Sequence, residues 1–152
     1  MKKTLLIAGS LVLVIALAFF FYLNSGKAEI FIKDGAAING YDPVAYFTEQ
    51  KPVKGSKDFS YNYKKATWHF SSQQNMDLFK ANPDKYAPKY GGYCAYGLSN
   101  GYKAPTEADA WSIVDEKLYL NYNTEVREEW NKEQKQRIIN ADQNWPVVKT
   151  KE

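Results

Sequence analysis

Hydrophobic and polar positions change their period several times along this chain, and each change predicts an element. Phe59-Ser60-Tyr61-Asn62-Tyr63 and Trp68-His69-Phe70 alternate aromatic with polar residues. That period of two predicts an antiparallel hairpin, with Lys64 to Thr67 between the strands. Phe59, Tyr61 and Tyr63 share one face; Trp68 and Phe70 share a face and His69 points the other way. Trp111-Ser112-Ile113-Val114 and Lys117-Leu118-Tyr119-Leu120 predict a second hairpin about Asp115-Glu116. Glu29 to Lys33 alternates loosely, as a first strand would, before the turn signal Asp34-Gly35.

Helical stretches are marked by their caps. Asp42 precedes Pro43, which costs no hydrogen bond at a first helical position, so a short helix runs from there to about Thr48. Ser71 with Gln74 fits a capping box, and Ser72 with Asn75 fits a second register. The helix that follows carries Met76 and Phe79 inward and stops at Asn82, before Pro83. Asn82-Pro83 repeats the cap-and-proline device for a short turn containing Tyr86, ended by Pro88. Tyr93 to Leu98 reads as a short helix that aligns Cys94 with Leu98. Asn123 or Thr124 caps a charged helix to about Asn140. Glu128–Lys132 and Glu133–Arg137 are its i,i+4 pairs, and Val126 and Trp130 its inward face. Trp145-Pro146-Val147 is expected to pack the terminus back onto the domain. The fold class is α+β: a small single domain of two antiparallel β-hairpins with short helices and a longer C-terminal helix.

One stretch has no period. Leu5 to Leu23 is an unbroken uncharged run behind Met1-Lys2-Lys3-Thr4. At helical rise its 19 residues cover ~28 Å, close to the ~30 Å hydrocarbon core of a bilayer. A basic start and an apolar run are the marks of an export signal or a signal anchor. Length favours the anchor, while Ala16-Leu17-Ala18 and Gly26-Lys27-Ala28 offer cleavage sites for the signal. Either way the remainder is expected outside the cytoplasm, in the periplasm, with the inner membrane as partner if residues 5–23 are retained. The divisions are then a basic start (1–4), an anchor or signal (5–23), a linker with a first strand (24–36), a domain (37–147) and a frayed tail (148–152).

Composition changes this picture in two places. The formal charge of +3 falls away once Lys2 and Lys3 are set aside from the 20 basic residues, leaving 18 against 17 acidic. With no basic block, nucleic acid is not an expected partner. Aromatic residues make up 16% of the chain, including twelve tyrosines and four tryptophans. Such rings build a core from few residues.

Asp42-Pro43-Val44, Trp68-His69-Phe70-Ser71-Ser72, Phe79, Asn82-Pro83 and Tyr86 occur in the order in which the YHS domain family carries them. From Ala37 to Pro146 the chain resembles that family, and Tyr90-Gly91-Gly92-Tyr93-Cys94-Ala95-Tyr96 resembles an exported single-domain subgroup. The resemblance implies a metal-associated history, because some family members accompany copper-transporting ATPases. The cysteines that serve there map to Ala45, Ser71 and Asn75, and all three thiolates are missing. Neither a side chain without a donor nor a neutral hydroxyl or amide suits a soft metal. Ser71 has a structural alternative, as a helix N-cap.

The remaining candidate chemistry lies in single residues. Beyond the apolar run the soft or borderline donors are His69, Met76 and Cys94, one of each. That is too few for a structural zinc site or a blue-copper site. A low-coordinate copper(I) site using Cys94 with His69, or with Met76, is the metal reading, with copper as the cofactor. Tyr90, Tyr93 and Tyr96 beside Cys94 are the candidate lining of a groove for a small ligand or a partner segment. A thiol-dependent enzyme would need Cys94 and His69 within hydrogen-bond reach. The function that ranks first is an exported, membrane-tethered binding module. Each of the single donors also has an ordinary role as a packed core or surface residue.

Overall fold

The computed structural model describes residues 29–150. The basic start, the apolar run Leu5–Leu23 and the spacer to Ala28 lie outside the described residues, as do Lys151 and Glu152. Among the described residues no helix is long and apolar enough to cross a membrane.

Six short strands pair as three separate two-stranded antiparallel sheets. β1 (Ile32–Lys33) and β2 (Ala36–Ala37) form the first, β3 (Ser56–Tyr63) and β4 (Ala66–Phe70) the second, β5 (Trp111–Val114) and β6 (Lys117–Leu120) the third. Two hairpins are where alternation places them, with Tyr61 opposite Trp68 and Ile113 opposite Leu118. Both turn on two residues with positive φ, Lys64-Lys65 and Asp115-Glu116. That left-handed pair matches the twist of the flanking strands, even without the usual Asn-Gly. The β1–β2 hairpin is a correction to the expected two-hairpin fold. Its strands have two residues each, too few to display a period.

The helices are α1 (Ala45–Thr48), α2 (Gln73–Ala81), α3 (Pro83–Tyr86), α4 (Ala95–Ser99), α5 (Thr124–Lys132) and α6 (Gln134–Val148). Asn82 ends α2 and its side chain accepts from the Lys85 N–H at 3.2 Å to start α3. Asn123 caps α5 through the Val126 N–H at 2.8 Å. The single C-terminal helix expected from the sequence is two helices, broken at Glu133 (φ −130°, ψ 34°). The Glu133–Arg137 pair forms at 3.3 Å across that break, whereas Lys132 pairs with Glu129 and not Glu128. α6 also runs through Pro146 to Val148. A proline in the last turn forfeits one N–H bond without leaving further turns to distort. Val148 is buried, and the Lys149 carbonyl accepts from Lys103 Nζ at 3.0 Å.

Strand β6 divides the interior. Leu118 and Leu120 enter a core of Trp68, Phe70, Phe79 and Tyr46. Tyr119, on the opposite face, enters a second core of Tyr90, Leu98, Trp130 and Ala141. A strand buried on both faces serves both cores because its side chains alternate. Trp130 is fully buried and its ring lies 5.3 Å from that of Tyr119. α6 is fastened to the end of α4 by Asn144, whose Nδ2 donates to the Leu98 carbonyl at 3.0 Å.

The beginning of the described chain is clamped by the turn Lys89–Gly92. The Phe31 N–H donates to the Gly91 carbonyl at 2.8 Å. Gly91 has φ +62°, and a Cβ there would overlap the Glu29 carbonyl oxygen; at Gly92 it would overlap Ile38. Positive φ and close backbone approach together demand glycine. Gly91→Ala is therefore expected to destabilise the fold by at least about 2 kcal/mol in urea unfolding. An unchanged midpoint would show that Glu29–Phe31 does not dock here.

Candidate functional site

Three features carry the polar chemistry of the molecule: a buried carboxylate, a buried thiol and a lysine-rimmed cleft. The carboxylate is Asp42, fully buried. Its Oδ1 accepts from the N–H groups of Val44 (2.8 Å) and Ala45 (3.3 Å), so it braces the turn into α1, whose N-cap is Val44 and not Asp42 as its place before Pro43 predicts. Its Oδ2 accepts from the Ser71 N–H (2.8 Å), the Ser71 hydroxyl (2.7 Å) and Asn75 Nδ2 (2.7 Å). Five donors from three parts of the chain satisfy one buried charge, as a charge away from water requires.

This arrangement decides the metal question at the positions where the resemblance implies thiolates. Ala45, Ser71 and Asn75 do converge, but on the Asp42 carboxylate. Ala45 offers only its backbone N–H, and the two side chains are engaged as hydrogen-bond donors. The set does not fit a soft metal ion. Ser71 is thereby corrected as well. It does not cap α2; Ser72 does, accepting from the Asn75 N–H at 3.1 Å. The second capping register wins because Ser71 is committed to Asp42.

The thiol is Cys94, 1% exposed, at the N-terminal end of α4. Its sulfur accepts from the Gly97 N–H at 3.4 Å and donates toward Asn121 Oδ1 at 3.7 Å. Burial pushes the thiol pKa up, against the smaller opposing pull of the Gly97 N–H. A protonated, enclosed thiol is neither a ready nucleophile nor a ready ligand. His69 has a different neighbourhood. It lies beside Gly40 and Gly55, and its pKa is lowered first by burial, then by Lys57 and Lys54. Cys94 meets Gly97 and Asn121 whereas His69 meets Gly40 and Gly55, and Met76 lies in the core of Trp68 and Phe70. Among the described residues no group of three or more His, Cys, Asp or Glu could hold a metal ion.

The three tyrosines expected to line one groove all border the second core, through different contacts. Tyr90 is buried between Tyr119 and Trp145, its hydroxyl donating to Asp142 at 3.0 Å. Burial, then the Asp142 charge, pushes its pKa far up. Tyr93 packs on Phe31 at 5.7 Å, and Tyr96 lies under the Arg137 guanidinium at 4.2 Å. Spacing by three does not align them because the segment is not one helix. Tyr90 (φ +56°) and Gly91 are left-handed, and Tyr93 is extended.

The cleft has a volume of about 230 Å³ and lies where both hairpin turns meet the end of α6. Lys64, Lys89, Lys117 and Lys149 surround it, with Tyr90 and Trp145 as its aromatic wall and Glu29 at its edge. Lys89 pairs with Asp142 at 3.0 Å and Lys149 with Glu29 at 3.5 Å. The other two have no carboxylate partner among the described residues: Lys117 Nζ donates to the Asp84 carbonyl at 3.1 Å, and Lys64 lies over the Tyr63 ring. Asp84 instead accepts from the Tyr63 hydroxyl at 3.0 Å. Sequence reasoning found Tyr90 but missed the lysines, which belong to four separated stretches with no shared period.

The YHS domain family model matches residues 44–90, about a third of the chain, from the start of α1 to the turn below the cleft. The match covers Ala45, Ser71, Asn75 and His69; Cys94 and Trp145 lie beyond it. No curated protein and no solved structure matches the chain.

Cys94 gives the test of this description. Its folded pKa lies above the ordinary value near 9, so the folded state holds the proton longer than the unfolded chain. The stability due to this proton is complete below that pH and is lost as pH rises above it. Alkylation by iodoacetamide at neutral pH is expected to be slow in buffer and fast in denaturant. Rapid labelling of the folded protein would contradict the enclosed thiol.

Proposed function

We propose that this chain is a YHS-type binding module, tethered to the inner membrane by Leu5–Leu23 and facing the periplasm, that recognises an anionic ligand by charge. The observation that carries the reading is the cleft beside Tyr90 and Trp145, where Lys64 and Lys117 lack carboxylate partners among the described residues. A concave site with an aromatic wall and a few convergent charges is the usual form of a small-ligand site. Export and tethering are supported by the length and flanks of the uncharged run. The competing readings lose support from the geometry. The thiolate positions are filled by donors to Asp42, and the neighbours of Cys94 (Gly97 and Asn121) are not those of His69 (Gly40 and Gly55).

Glycerol 1-phosphate, followed through the Trp145 indole signal of the full chain in zwitterionic micelles, tests the reading. The expected result is weak, saturable binding at low salt that disappears in Lys64→Glu/Lys117→Glu and is suppressed by high salt. Copper(I) is expected to bind no tighter than micromolar, with no change in Cys94→Ser. Submicromolar copper binding lost in Cys94→Ser, or no response of Trp145 to the anion, would overturn it.

A further inference from the structure

The position of the cleft relative to the start of the described chain says which anion it meets. Glu29 and Ile30 line the cleft, and Lys149 is paired with Glu29 at 3.5 Å. Only Asn24–Ala28 separate Glu29 from the apolar run, and fully extended they reach about 20 Å. The headgroup layer itself is roughly 5–8 Å deep. A domain tethered at Glu29 therefore holds this cleft within reach of the lipid surface, and the clamp on Glu29–Phe31 at Gly91 keeps the tether at the cleft edge.

We infer that the cleft is a docking site for the phosphate of an acidic phospholipid in the leaflet to which the chain is anchored. The inference rests on the tethered reading proposed above. Lys64 belongs to the β3–β4 turn and Lys117 opens β6 just after the β5–β6 turn, so the two ammonium groups without carboxylate partners among the described residues come from separate hairpins. Tyr90 and Trp145 supply the amphipathic rings that suit a headgroup boundary. Charge complementarity and the short tether select the same occupant. A lysine near an anionic lipid surface strengthens attraction roughly fivefold, and tethering raises the local headgroup concentration far above that of a free anion.

The experiment places the full chain, indole-labelled with ¹⁵N, in nanodiscs of phosphatidylcholine alone or of phosphatidylcholine with phosphatidylglycerol. Expected is a shift of the Trp145 signal in the acidic discs only, abolished in Lys64→Glu/Lys117→Glu and retained in Lys57→Glu/Lys135→Glu, which carries the same charge change outside the cleft. Unchanged Trp68 and Trp130 signals report that the variants fold. The same Trp145 signal in both disc types overturns the inference and leaves the tethered module standing. So does saturation by micromolar inorganic phosphate or glycerol 1-phosphate in phosphatidylcholine discs, which would make a soluble anion the ligand. A chain that does not co-elute with the discs overturns the tether and this inference together.

Discussion

The carboxylate of Asp42, just ahead of the matched residues 44–90, is the interaction on which the domain around it depends. A charge this deeply buried is tolerable only when its lone pairs are filled, and here five donors fill them. Two of those donors start α1, and three come from the junction where β4 gives way to α2. One side chain thus fixes the angle between the opening turn and the hairpin–helix unit. Trp68, Phe70 and Phe79 then close around each other, with ring centroids 5.2 Å apart in both pairs.

The same hub redirects the chemistry. The positions where the family resemblance implies thiolates meet at one point, but their donors there are a backbone N–H, a hydroxyl and an amide. They form a closed hydrogen-bond cluster, and the open polar surface lies elsewhere. That surface is the cleft formed by the two hairpin turns, the Tyr90–Gly91 turn and the end of α6. The Gly91-Gly92 pair, just before Cys94, admits Glu29–Phe31 and Ile38. Its role is to hold the incoming chain against the cleft.

Local physics was legible in the sequence and distant convergence was not. Alternation gave both longer hairpins, and Asp42-Pro43, Asn82-Pro83 and Asn123 announced their helices because a cap acts within three residues. Asp42 looked like a cap alone because its partners Ser71 and Asn75 are 29 and 33 residues away. That same long-range demand moved the α2 cap from Ser71 to Ser72. The break at Glu133 was hidden because residues on both sides of it favour helix; Trp130 before it and Ala141 after it both reach the second core. The cleft lysines were invisible for a related reason. Their convergence depends on how two hairpins and α6 pack, and no spacing in the chain records it.

A double-mutant cycle on Asp42 and Ser71 tests the central claim most directly. Asp42→Asn, Ser71→Ala and the double variant are compared with the parent by equilibrium urea unfolding. If one buried carboxylate organises the domain, the two losses fall well short of adding, with a coupling of about 2 kcal/mol. Additive losses within about 0.5 kcal/mol would mean that Asp42 and Ser71 act separately, and that the hub does not hold the domain together.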